Sequence, residues 1–126
     1  MEKKVTGIGG IFFKCKDPAA MNEWYQKHLG IPVTAYGATF NWRDEQNPEK
    51  TGSTAWSTFP ADTAYFAPSQ KDFMINYRVH DLELLVSELQ REGIKFTDEI
   101  QTYEYGKFVH LLDPEGNAIE LWEPVD

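Results

Sequence analysis

Cysteine is almost absent from this chain: Cys15 is the only one in 126 residues. A lone thiol cannot form an internal disulfide or build a thiolate metal cluster, so a reducing, cytoplasmic setting is expected. Basic residues are also scarce, 12 against 20 acidic, which leaves a formal charge of -8. An anionic surface repels phosphate backbones and acidic lipid faces, which argues against nucleic acid and membrane partners. Long apolar runs are missing as well. The N-terminus carries Glu2, Lys3 and Lys4, but the stretch that follows is interrupted by glycines and then by Lys14 and Lys16, a poor core for a signal peptide. Nothing approaches the roughly 20 apolar residues of a membrane span.

What the chain does hold is core material: 41% hydrophobic residues, and 14% aromatic with 8 Phe, 6 Tyr and 4 Trp. Its length suits one domain. Residues 8–15 are β-branched and aromatic and end in Asp17-Pro18, a strand followed by a helix start in which Asp17 caps and Pro18 occupies the first turn. Met21, Trp24, Tyr25 and His28 then recur at helical spacing, and Gly30 ends the helix. The second half repeats this grammar with a strand at 73–79, a cap at Asp81, a stripe of Leu82, Leu85, Val86 and Leu89, and a stop at Gly93. The two copies lie 64, then 63, residues apart.

Each helix is followed by strand-like runs: 33–42, 55–59 and 64–66 in the first half, and 95–98, 102–105, 108–112 and 118–122 in the second. Residues 43–53 read as a polar loop and 67–72 as a connector. The chain therefore reads as an α+β fold of two tandem βαβββ modules, 1–68 and 69–126. One hairpin has a defined register. Asp113-Pro114-Glu115-Gly116-Asn117 places Pro and Gly where a tight turn needs them, which sets His110 opposite Glu120 and Phe108 opposite Trp122 on one face.

The duplicated strand-Asp-helix-Gly segments and the closing run from Asp113 to Pro124 resemble the vicinal oxygen chelate superfamily, which includes glyoxalase I, extradiol dioxygenases and bleomycin-resistance binding proteins. The resemblance implies curled mixed sheets around a cavity, helices on the outer face, and a homodimer. It also implies, in the metal-dependent branches, a divalent ion such as zinc, nickel, iron or manganese held from four cavity-facing strand positions. Here the first-strand positions carry Gly10 and Met74, and aligning Pro68 on Pro124 puts Ala64 or Phe66 at the third. Only Glu120 keeps a ligand-type side chain. One carboxylate does not compensate a dehydrated divalent ion, so the usual metal site is not expected.

Glu120, flanked by Ile119 and Leu121, faces away from these apolar neighbours and is a candidate general base if that face lines the cavity. His110 beside it is a candidate acid/base partner, though a strand histidine is as readily a satisfied structural side chain. His28 and His80 read as surface groups, and Cys15 as buried and inert. Strand alternation turns Ile8, Gly10, Phe12 and Lys14, with Met74, Asn76 and Arg78, toward the cavity. Phe108 and Trp122 join this lining, and Trp42, Trp56, Tyr65, Tyr103 and Tyr105 are further wall candidates. Glu104, between Tyr103 and Tyr105, is a candidate contact for a cationic or hydroxyl-bearing ligand. These residues point first to binding of a small organic molecule without the metal. A lyase, isomerase or dioxygenase using Glu120 as base or metal ligand is the alternative, and a protein-interaction module the third.

Overall fold

The computed structural model describes residues 4–125, so Glu2 and Lys3 of the charged N-terminus lie outside it. The chain runs β1 (Val5–Cys15), α1 (Pro18–Leu29), β2 (Ala38–Arg43), β3 (Thr51–Pro60), β4 (Phe73–Val79), α2 (Leu82–Arg91), β5 (Gln101–Tyr103), β6 (Gly106–Leu112) and β7 (Ala118–Pro124). All seven strands form one mixed sheet in the order β2-β3-β1-β4-β7-β6-β5. No helix among the described residues is long and apolar enough to cross a membrane.

The duplication is visible in the registers. Gly10 faces Ala55 across the parallel β1–β3 pair, and Met74 faces Ala118 across the parallel β4–β7 pair. The same pairing thus recurs 64 residues on in the first strand of each module and 63 on in the last. Antiparallel pairing of β1 with β4 fuses the halves within one chain.

Both helix starts form as their sequences dictate. Asp17 accepts the Ala20 N–H at 3.1 Å and Asp81 the Leu84 N–H at 3.1 Å, while Gly30 ends α1 at φ 69°. Glu123 on β7 accepts the Leu82 N–H at 2.8 Å and ties the start of α2 to the sheet. Under α2 lies the main core: Val79, Leu82, Leu85, Val109, Leu111 and Leu121. The other helix is docked less deeply. No α1 residue is fully buried; Tyr25 packs edge-on against Phe13 and Trp56, and Asn22 accepts the Thr58 hydroxyl at 2.8 Å.

Several sequence expectations fail for local reasons. Residues 64–66 form no strand; they belong to a turn-rich connector, and the closing strand of module one is β3, which starts earlier and shortens the polar loop to 44–50. Residues 95–98 make only an isolated bridge, Phe96 to Leu111, and β2 begins at Ala38, not at residue 33. Finally, Ile8 pairs with Tyr77 whereas Gly10 pairs with Asn76, which leaves Gly9 as an extra residue in a β-bulge. Alternation resets there, so Ile8 shares the helix-side face with Tyr77 instead of facing the cavity.

The unequal docking of the helices has a measurable consequence. Leu82→Ala, at a position with 0% exposure, should lower unfolding free energy by about 2–5 kcal/mol in urea titrations. Leu29→Ala, at 61% exposure, should change it by no more than about 0.5 kcal/mol.

Candidate functional site

The concave face of the sheet is divided into a filled part and an open part. Phe66, from the connector, folds back over the seam between the modules and packs with Met74 and Ala118, with Phe12, Phe59 and Leu112 around them. Phe12 and Met74, expected to line a ligand cavity, are therefore core. Because a tight turn cannot hide a ring from water except by laying it on the sheet, the connector closes this half.

On the open side sits Glu120, only 2% exposed. The tight turn before β7 sets its register as the sequence reading gave it: the Asp113 N–H donates to the Asn117 carbonyl at 3.0 Å, Gly116 has φ 83°, and His110 faces Glu120 across β6–β7. A buried carboxylate must be satisfied by fixed donors, and three converge on it. Asn76, its neighbour on β4, donates Nδ2–H to Oε1 at 2.7 Å. Tyr65, from the connector, donates its hydroxyl to Oε2 at 2.5 Å. His110 Nε2 lies 2.7 Å from Oε2.

The far side of the imidazole is held by Asp98, a residue the sequence reading passed over. Asp98 Oδ2 lies 2.7 Å from His110 Nδ1, and its Oδ1 accepts the His110 backbone N–H at 2.8 Å. With a carboxylate oxygen 2.7 Å from each ring nitrogen, the surroundings favour a hydrogen on both, the imidazolium form. Burial opposes that charge, but the hydrogen bonds and charges of Glu120 and Asp98 outweigh it and hold the His110 pKa above its ordinary value. The Tyr65 phenol is pushed upward too, first by burial and then by the charge and hydrogen bond of Glu120, and remains a neutral donor.

Asn76 carries a cost of this arrangement. Its Nδ2 must face the carboxylate, so Oδ1 is turned against Gly9 and has no hydrogen-bond partner among the described residues. A Cβ at Gly9 would collide with that oxygen and crowd Arg78 and Trp122. The bulged glycine is thus the space in which the amide fits.

Above the network lies a cavity of about 450 Å³ lined by Tyr65, Asp98, Tyr103, Tyr105, Phe108 and His110, among others. Tyr103 and Tyr105 stack at 5.3 Å, and Phe108 stacks on Trp122 at 5.7 Å. The Arg78 guanidinium is buried between Trp122 and Trp42, 5.0 and 5.3 Å from the ring centres, so it and Trp122 serve as a clamp behind the cavity wall. Glu104 sits exposed in the two-residue β5–β6 turn, outside the cavity lining. His28 and His80 are exposed, and Cys15 is buried.

The register also corrects the metal alignment. Offset by 63 residues, Glu120 corresponds to Ser57, which pairs with Phe12 on the concave face; Ala64 and Phe66 belong to the connector. The four strand positions are therefore Gly10, Ser57, Met74 and Glu120. This donor set does not fit a four-ligand divalent site, and both Glu120 oxygens already accept protein hydrogen bonds. No group of three or more His, Cys, Asp or Glu among the described residues has metal-binding geometry.

Comparison with known proteins places this geometry in context. The family model described as the Glyoxalase/Bleomycin resistance protein/Dioxygenase superfamily matches residues 7–121. No curated protein matches the sequence significantly. Among solved structures, a variant of Streptomyces coelicolor methylmalonyl-CoA epimerase in complex with 2-nitronate-propionyl-CoA superposes with a TM-score of 0.70 at 18% identity, covering 97% of this chain and 99% of that one. Methylmalonyl-CoA epimerase from Mycobacterium tuberculosis gives 0.65 at 18%, covering 100% and 93%. A glyoxalase/bleomycin resistance protein/dioxygenase superfamily member from Vibrio splendidus 12B01 gives 0.58 at 13%, covering 92% and 97%. At these identities the likeness is one of fold.

Two outcomes test the network. The His110 ring should titrate above 6.5 by NMR, and its contribution to stability, full below that value, should be lost as pH rises through the raised folded pKa. The stability gap between wild type and His110→Gln should accordingly shrink on the alkaline side; a midpoint at or below 6.5 would contradict the imidazolium assignment. Tyr65→Phe, which removes one donor from a buried carboxylate, should cost about 1–3 kcal/mol at neutral pH in the same denaturation assay.

Proposed function

The chain belongs to the Glyoxalase/Bleomycin resistance protein/Dioxygenase superfamily, and on that premise we propose that it is a small-molecule-binding member that works without the metal centre. The observation that carries this reading is the state of Glu120. It is the one metal-ligand type left at the four strand positions, and both its oxygens accept hydrogen bonds from Tyr65, Asn76 and His110. A carboxylate occupied in this way supports the cavity floor. The surface above it offers rings and a few polar atoms, the combination that buries and orients a small organic ligand.

A second reading is favoured by one specific feature, the Asp98–His110–Glu120 chain, with both ring nitrogens 2.7 Å from a carboxylate oxygen. Such a chain can carry a proton. In a lyase, isomerase or dioxygenase reading, Glu120 is the base and His110 its partner, and Tyr65 must release Oε2 before a substrate proton is accepted. The fold-level likeness to two epimerases is compatible with this role. We also propose a homodimer. The exposed apolar side chains of α1, Trp24 at 51% and Leu29 at 61%, are surface that a second copy would cover.

Binding should be read by thermal shift and native mass spectrometry of freshly purified protein, including whatever small molecule accompanies it. A ligand at about 100 times its Kd should stabilise the fold by about 2.7 kcal/mol. Exhaustive chelation should leave that stabilisation intact, and Phe108→Ala should remove it. Turnover by the wild type, lost in Glu120→Gln and His110→Ala with the fold retained, would instead establish the enzymatic reading. Sedimentation at twice the chain mass, lost on Trp24→Glu, checks the dimer.

A further inference from the structure

We infer that the cavity over His110 selects an organic cation, an ammonium or amidinium group on an apolar body, in preference to an anion of the same size; this rests on the binding reading above. The argument is one of which atoms remain available. At the cavity floor the polar hydrogens are committed: both His110 ring nitrogens to Asp98 and Glu120, the Tyr65 hydroxyl to Glu120, and the His110 backbone N–H to Asp98. On the wall the Tyr103 hydroxyl donates to Gln101 Oε1 at 2.6 Å. An anionic ligand therefore finds those donors already engaged. What is left for it is the neutral donors of Thr97, Gln101 and Tyr105, with no cationic side chain beside them, whereas a cation finds oxygen acceptors and ring faces.

Charge points the same way. No Lys or Arg is among the residues that line the cavity. Two carboxylates bracket the one imidazole ring, so acidic groups outnumber basic ones at the floor, and the chain as a whole stands at -8. Tyr103 and Tyr105 stack on one another and remain 45% and 61% exposed, which leaves outer π faces for a cation to approach. Of the carboxylates, Asp98 lines the cavity and is the one a cation would meet; Glu120 lies buried beneath the ring and contributes its charge only, and Glu104 lies outside the lining.

Three probes of similar size and different charge separate the possibilities: benzyltrimethylammonium, benzyl alcohol and phenylacetate, each titrated into the full chain and followed by NMR at Phe108, His110 and the Trp122 indole. The ammonium should bind on the order of tenfold tighter than phenylacetate, with a preference that weakens as salt is raised. Tyr105→Leu, at a position 61% exposed, should erase most of that preference while the NMR spectrum away from the cavity stays that of the folded chain. Phenylacetate binding as tightly as the ammonium, with shifts at these same residues, would overturn the charge selection and leave the cavity reading standing. Absence of shifts at these residues with all three probes would overturn both.

Discussion

A buried carboxylate must find its donors inside the protein, and much of this molecule follows from how Glu120 finds them. Its three donors come from three separate parts of the chain: Asn76 from the neighbouring parallel strand, His110 from the antiparallel partner, and Tyr65 from the connector between modules. Losing a neutral donor to such a buried carboxylate costs about 1–3 kcal/mol and losing its charged partner about 3–5 kcal/mol, more than a surface ion pair contributes. The network therefore fixes where the connector lies as well as where the site is. It also constrains residues that touch no ligand. Gly9 must lack a Cβ so that the Asn76 amide can turn, and Asp98 must hold the imidazole ring so that Nε2 faces Glu120.

The two modules began from one pattern and use it differently. Where module two keeps Glu120, module one has Ser57, and Phe12, Phe59 and Phe66 of module one fill the seam against Met74, Leu112 and Ala118 of module two. Their helices differ in the same sense, α2 covering a continuous aliphatic core while α1 rests on a few aromatic edges. The halves are joined at the sheet centre by β1–β4 pairing and across the concave face by Arg78 between Trp42 of module one and Trp122 of module two. Phe108 extends that stack to the cavity wall. A guanidinium held between indoles is stiff, so the wall is set before any ligand arrives.

How much of this was legible in the residues depended on whether the determinant was local. The β6–β7 hairpin was, because Pro114 and Gly116 fix the turn and the turn fixes the register; His110 beside Glu120 and Phe108 beside Trp122 follow by counting. Both helix starts were, because Asp17 and Asp81 cap within three residues. The bulge at Gly9 was not. Three glycines in β1 make a bulge easy, but its position is set by the side chain of Asn76, more than sixty residues away. The role of Asp98 was equally hidden, since it depends on how a segment with one isolated bridge runs past β6. Ser57 could have been found: the offset of 63 already present in the repeat leads to it from Glu120, whereas the alignment of Pro68 on Pro124 follows a proline outside the strand.

Binding and catalysis on this scaffold differ by the position of one hydroxyl. With Tyr65 docked, Glu120 Oε2 accepts two hydrogen bonds, one from the phenol and one from the imidazolium, and a ligand above it meets a closed floor. Tyr65 is held less by secondary structure than by packing: its ring stacks on Phe59 at 5.7 Å and meets His110 edge-on at 5.4 Å, on a segment without strand hydrogen bonds. A ligand that displaced the phenol would have to replace its donor to Oε2, because the carboxylate stays buried. A substrate with an acidic hydrogen meets that requirement, and so does a cationic N–H. The same constraint that makes the floor a saturated support for one class of ligand thus sets the condition for opening it: the ligand must bring its own hydrogen-bond donor.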